Sequence, residues 1–183
     1  DALAVKLPEK PADARWAEPL KAIDRMVYRA DGEGYLPDAF GQVFVVPAEG
    51  GTPRQLTEGA FNHDDLAWSA DGSEILVSAN RHENADLEPN NSEIHSIDVA
   101  TGSIGALTQR FGPDAQPAAS PDGKYLAYIG YDDRYQGYQR ARLYLLRRDN
   151  GEVRELAGDL DRDIERPTWS RDSRRIYFQY DDQ

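Results

Sequence analysis

Three turn-like stretches pair a serine with an aspartate two positions on. They are Ser69 and Asp71 in LAWSADGSEILVS, Ser120 and Asp122 in AASPDGKYLAYIG, and Ser170 and Asp172 in TWSRDSRRIYFQY. A serine nucleophile needs a general base in reach and a strained, exposed elbow, commonly Gly-x-Ser-x-Gly. No serine of this chain has that setting. The nearest miss is Gly102-Ser103-Ile104-Gly105, where Thr101 takes the place of the first glycine. A nucleophile recurring at three separated turns also makes no mechanistic sense. Turn chemistry accounts for the pattern instead. An aspartate such as Asp71 accepts from amides two residues on, and the serine hydroxyl backs it up. Gly72 and Gly123 supply a backbone conformation that costs other residues about 1 kcal/mol. Ser173 replaces the glycine in the third copy, so that turn is expected to be strained or of another type. Trp68 and Trp169 are expected to bury their rings against neighbouring strands, while Ala119 leaves that space to a neighbour.

Other reactive side chains are sparse. His63, His82 and His95 are the only histidines and lie in separate local contexts, so no metal site and no cofactor is expected. The alternating run DLDRDIE (159–165) could offer oxygens to calcium but reads better as a solvated connection. There is no cysteine, which removes disulfides, zinc thiolates and cysteine nucleophiles.

The elements that must position these residues are short β-type runs, among them MVYRA, QVFVVPA, EILVSA, EIHSIDVA, KYLAYIGY, ARLYLLRR and RRIYFQY. EGG, ADG, ATG, PDG and DNG stand between them as hairpin signals. The motif aspartates are 51 and 50 positions apart (122 − 71 and 172 − 122). A second pattern repeats in phase: QVFVVPAEGGTPRQLT (42–57), EIHSIDVATGSIGALT (93–108) and RLYLLRRDNGEVRELA (142–157) align without gaps. A period near 50 with four short strands per unit is the signature of a β-propeller blade. The fold class is therefore all-β, a partial propeller of four-stranded antiparallel blades, two full ones flanked by two partial ones. Residues 1–24 form an irregular lead-in, with a helical turn near 12–22. Residues 25–57 form a partial first blade, 62–108 and 114–157 two blades, and 165–183 the start of a further, truncated blade. Such an arc exposes strand edges, which invites self-association.

Net charge is −12, so the chain should repel nucleic-acid backbones and anionic lipid. No apolar run approaches the ~18 residues of a membrane span. The amino terminus shows no signal peptide, and Asp1 implies a processed chain or a piece of a longer one.

The W-S-x-D-G-x-x-I signature resembles WD-like propellers such as TolB-type proteins. The longer strings YRADGEGYL, GGTPRQLTEG, FNHDDLAWSADG, ILVSANRHENADLEPNNSEIHSIDVATG and IGYDDRYQGYQRARLYLLRRDNG resemble the propeller domain of the prolyl oligopeptidase family of serine peptidases, in its bacterial acylaminoacyl-peptidase and dipeptidyl-peptidase-like branch. The resemblance covers roughly residues 25–183. It implies a propeller that caps an α/β-hydrolase domain and restricts access to oligopeptides. No residue here matches that family's Ser-Asp-His triad, so this segment by itself would not be an enzyme. Bacterial cytoplasm and periplasm both remain open. The alternative is a TolB-like or other propeller that binds proteins with no enzyme attached.

In such a blade the loops between second and third strands share a face with the blade-to-blade connections. That face would carry Arg81, His82, Glu83, Asp86 and Glu88 in one loop and Arg134, Tyr135 and Tyr138 in another. Both loops exceed what a hairpin needs, and long loops on a rigid scaffold often carry function. Carboxylates of the first would hold a substrate's free amino terminus, and tyrosines and arginines of the second would line its path. A solvated loop packed on a neighbouring domain is the plainer reading.

Overall fold

The computed structural model describes residues 9–15, 17 and 21–182. The helical turn expected near 12–22 falls partly on 16 and 18–20, outside the described residues. The chain divides into two compact units, Asp1–Leu36 and Pro37–Gln183. In the first, β1 (Arg29–Ala30) and β2 (Gly34–Tyr35) form a small antiparallel hairpin. Gly32 and Gly34 take left-handed backbone angles there. The Tyr28 and Tyr35 rings lie 6.1 Å apart. The run MVYRA thus yields only a two-residue strand.

The second unit is all-β, and no helix among the described residues is long and apolar enough to cross a membrane. Strands β3 (Phe44–Val45) and β4 (Arg54–Gln55) form an antiparallel pair. Then comes a four-stranded antiparallel sheet of β5 (Asp64–Trp68), β6 (Glu74–Ala79), β7 (Glu93–Asp98) and β8 (Ile104–Ala106), in chain order. A second such sheet contains β9 (Asp114–Ala119), β10 (Tyr125–Gly130), β11 (Arg142–Arg147) and β12 (Val153–Leu156). A last pair joins β13 (Glu165–Trp169) to β14 (Ile176–Gln179). Consecutive antiparallel strands that neighbour each other in one sheet are the plan of a propeller blade.

The second strands explain how the sheets stack. Side chains alternate across a strand, so Ile75 and Val77 of β6 pack with Val43 and Leu56, while Leu76 packs with Ile94, Leu126 and Tyr128. On β10, Leu126 and Tyr128 face back toward β6. Ala127 and Ile129 face forward to Leu143 and Ile164, with Trp169, Ile176 and Phe178 around them. Each middle strand is covered on both faces, which is why EILVSA and YLAYIG are continuous apolar runs rather than alternating ones.

The inner strands carry a feature that reading for turns misses. Register shifts interrupt β5, β9 and β13 at corresponding places. There Asp65, Gln116 and Arg166 adopt left-handed angles (φ 53°, 51° and 52°). Each stands six positions before its motif aspartate (71 − 65, 122 − 116, 172 − 166). The amide of Gln116 donates to Asp65 Oδ2 at 2.9 Å, and that of Arg166 to Gln116 Oε1 at 2.6 Å. A side-chain-to-backbone ladder therefore links neighbouring sheets. Its only trace in the sequence is a polar residue at a fixed offset, since none of the three is glycine.

Candidate functional site

The three Ser-x-Asp stretches are closed turns. Ser69 Oγ donates to Asp71 Oδ1 at 2.8 Å and accepts from the Glu74 amide at 2.9 Å. Ser120 does the same with Asp122 and Tyr125, and Ser170 with Asp172 and Arg175. The amide and hydroxyl of Ser73, with the Ser69 hydroxyl, hold the Asp71 carboxyl at about 2. Asp122 and Asp172 are lowered for the same kind of reason, first by their serine hydroxyls. These carboxylates are committed acceptors, and among the described residues no histidine hydrogen-bonds to the three serines. Gly72 and Gly123 take φ of 73° and 72°, and Ser173 takes 59°. The third turn thus keeps the same geometry without glycine, and Ser173 Oγ accepts from the Asp122 amide at 3.0 Å.

The tryptophans diverge. Trp169 donates from Nε1 to the Ala118 carbonyl at 2.9 Å and stacks on Tyr125 at 6.3 Å. Trp68, expected to be buried in the same way, is 54% exposed. The reason lies in the preceding sheet. β3 and β4 correspond to the outer strands β7 and β8, so this unit places no counterparts of Ala118 and Tyr125 against Trp68.

At the opposite end of the sheets the loops differ from one another. The connection 107–113 ties them together: the Gly112 amide donates to Asn91 Oδ1, and the Asp133 amide to the Phe111 carbonyl. A Cβ at Gly112 would lie 2.0 Å from the Tyr131 carbonyl oxygen. Loops 80–92 and 131–141 therefore flank one connection. Tyr135 and Tyr138 are exposed, and the Tyr138 hydroxyl donates to Asp163 at 2.8 Å. Arg134 uses its amide on Gln139. With Tyr131, Arg142 and Tyr144, Arg134 and Tyr138 line a groove of about 490 Å³. Asp161 pairs with Arg140, and Asp163 also accepts from the Ala141 amide. The acidic run is thus engaged in local contacts.

Glu83 is exposed, Asp86 and Glu88 are half-buried, and none lines a cavity with Arg81 and His82. The carboxyl that does is Glu93, which the candidate residues did not include. The histidines, expected apart, meet around Arg81. Arg81 Nη1 donates to His63 Nε2 at 2.8 Å, while His63 Nδ1 donates to the Gly41 carbonyl at 2.9 Å. The guanidinium also lies 4.5 Å from the centre of the Phe61 ring. Burial, more than the nearby Arg81 charge, lowers His63 and His95. Among the described residues no group of three or more His, Cys, Asp or Glu could hold a metal ion. Arginine occupies the middle of the histidines.

Glu93 is buried beside them and accepts from Thr108 Oγ1 at 2.5 Å. Burial pushes its carboxyl up to about 7, against the pull of that hydroxyl. Arg110 pairs with the fully buried Asp114 and stacks 4.0 Å over Tyr144. Arg81, His82, Glu93, His95, Thr108 and Arg110 line a cavity of about 370 Å³. Such a mixture can bind a polar ligand, but it lacks the nucleophile–base pair of covalent catalysis.

No family model matches the sequence. Over 148 residues, 77% of this chain, it is 30% identical to tricorn protease homolog 1 of Streptomyces coelicolor, of which it covers 13%. Over 118 residues, 63% of this chain, it is 27% identical to dipeptidyl-peptidase 5 of Porphyromonas gingivalis, of which it covers 17%. The chain thus spans under a fifth of the length of these curated relatives. Among solved structures, TolB from Acinetobacter baumannii superposes with a TM-score of 0.59 at 18% identity, over 75% of this chain and 31% of that one. With its stacked antiparallel sheets and repeated W-S-x-D turns, the chain is a stretch of β-propeller whose sequence relatives are peptidases, as the resemblance to the prolyl oligopeptidase family implied.

Proposed function

We propose that the chain is a non-catalytic part of the propeller domain of a serine peptidase that cleaves oligopeptides. Its blades would restrict access to an α/β-hydrolase domain, with loops 80–92 and 131–141 turned toward the peptide. One observation carries the reading: the likeness to tricorn protease homolog 1 and dipeptidyl-peptidase 5 runs along a chain folded into successive blades. The Ser-x-Asp turns agree with it, since Ser69, Ser120 and Ser170 each donate to the aspartate of their own turn. The test is the natural reading frame together with an assay. An in-frame α/β-hydrolase domain with a Gly-x-Ser-x-Gly elbow, and cleavage of a fluorogenic dipeptide by the whole product but not by residues 1–183, is the expected result. A whole protein of propeller blades alone, inert toward peptides, would overturn the reading in favour of a TolB-like binding module. The same reading expects residues 1–183 to self-associate through strand edges, where Tyr177 is exposed. A monomer by sedimentation at high concentration would remove that part.

A further inference from the structure

The cavity bounded by Arg81, His82, Glu93, His95, Thr108 and Arg110 has a charge character opposite to that of the chain. The chain carries −12 overall. In the cavity wall, Arg110 is neutralised by Asp114, but Arg81 hydrogen-bonds only to a neutral acceptor, His63 Nε2. Among the described residues no carboxylate pairs with Arg81. The one carboxyl in the wall, Glu93, is buried and already receives the Thr108 hydroxyl. Two further imidazoles border the space, and His82 Nε2 is buried with no hydrogen-bond partner. An unpaired guanidinium beside an unpartnered imidazole nitrogen is a donor set awaiting an acceptor.

We propose that this cavity binds a carboxylate, with Arg81 as the ionic partner and His82 as a second donor. Taken with the peptidase reading, on which this extension rests, the ligand class is a peptide with a free carboxyl terminus or an acidic side chain. This reverses the amine capture first expected of loop 80–92: Glu83 and Glu88 lie outside the cavity, and ammonium would meet Arg81 instead. A bound anion also opposes ionisation of Glu93, whose carboxyl burial pushes up to about 7, and favours protonated His95. Arg110, raised by its neighbour Asp114, keeps its charge throughout. Affinity therefore rises as pH falls from about 8 to about 6.5.

The experiment uses the isotope-labelled 183-residue chain and three probes: N-acetyl-glycylglycine, its amide, and glycylglycine amide with a free amino terminus. The free acid is expected to shift the His82 and His95 ring resonances saturably, and the two amides are not. Arg81→Gln should weaken binding about tenfold or more, and His82→Gln about threefold. If Arg81→Gln does not fold, His82→Gln decides with the probe series. Equal shifts from acid and amides, preference for the free amine, or wild-type affinity in His82→Gln would overturn the proposal. Because the readout is binding by this chain alone, a failure here is distinguishable from the absence of a hydrolase domain in the natural protein.

Discussion

At one end of the blades, Ser69–Asp71, Ser120–Asp122 and Ser170–Asp172 close three turns with the same hydrogen bonds. At the other end, loops 80–92 and 131–141 share no residue pattern. One borders a cavity built on Arg81 and Glu93, and the other a groove with Tyr138 and Arg142. The turn end repeats because every blade must return its first strand to its second in the same way. The loop end is free of that demand, so its residues can differ and carry unpaired charge. Buried ionisable groups follow the same division: the cavity end holds Glu93, Asp114, His63 and His95, whereas the turn aspartates are exposed and hydrogen-bonded within their turns.

The comparison can be broken most severely at the loop end. Gly112→Ala places a Cβ against the Tyr131 carbonyl at a backbone angle of 140°. It should cost about 3 kcal/mol or more, visible as loss of the cooperative thermal transition. Next comes the tryptophan pair. Trp169→Ala removes a stacked, hydrogen-bonded ring and should cost about 2–3 kcal/mol, against about 0.5 kcal/mol for exposed Trp68→Ala, by urea unfolding. Equal losses would mean that Trp68 is covered in solution.

Glu93→Gln sharpens the contrast through pH. The folded carboxyl, near 7, lies above its ordinary 4.5, so its contribution to stability is full below 4.5 and lost as pH rises through 7. Glutamine should therefore stabilise by about 2 kcal/mol at pH ~8 and by little at pH ~5. Gln42 accepts from Thr57 Oγ1 at 2.7 Å at the corresponding place, so the amide fits the geometry. His63 and His95 have the opposite sign: lowered by burial, they withdraw stability as pH falls below 6.5. A gain from Glu93→Gln that is the same at both pH values would refute the assignment. The smallest effects lie within the turns. Ser120 is fully buried and Ser170 is not. Ser120→Ala should cost about 1–2 kcal/mol and Ser170→Ala under about 0.5, measured by thermal unfolding.

The turns were legible because their chemistry is local. Asp71 meets partners within two residues, and glycine or its serine substitute marks the left-handed position. The 51- and 50-residue spacing then exposed the blade period. The bulge ladder at Asp65, Gln116 and Arg166 was not legible, because its hydrogen bonds cross between sheets about 50 positions apart and use ordinary polar side chains. The cavity was legible in part. Arg81 and His82 stood out as members of a long loop, but Glu93 read as the first residue of a strand, and His63 and His95 as isolated histidines.

Taken alone, the sequence determined the all-β class, the period, the turn positions and the absence of a serine elbow. Each of these depends on residues near one another in the chain or on simple repetition. Tertiary structure alone decided that Trp68 is open while Trp169 is covered, and that three histidines surround one arginine. It also decided that the carboxyl bordering that arginine is Glu93 rather than Glu83 or Glu88. Those outcomes depend on which sheet lies against which and on how much water burial removes, and neither is encoded in the spacing of a motif.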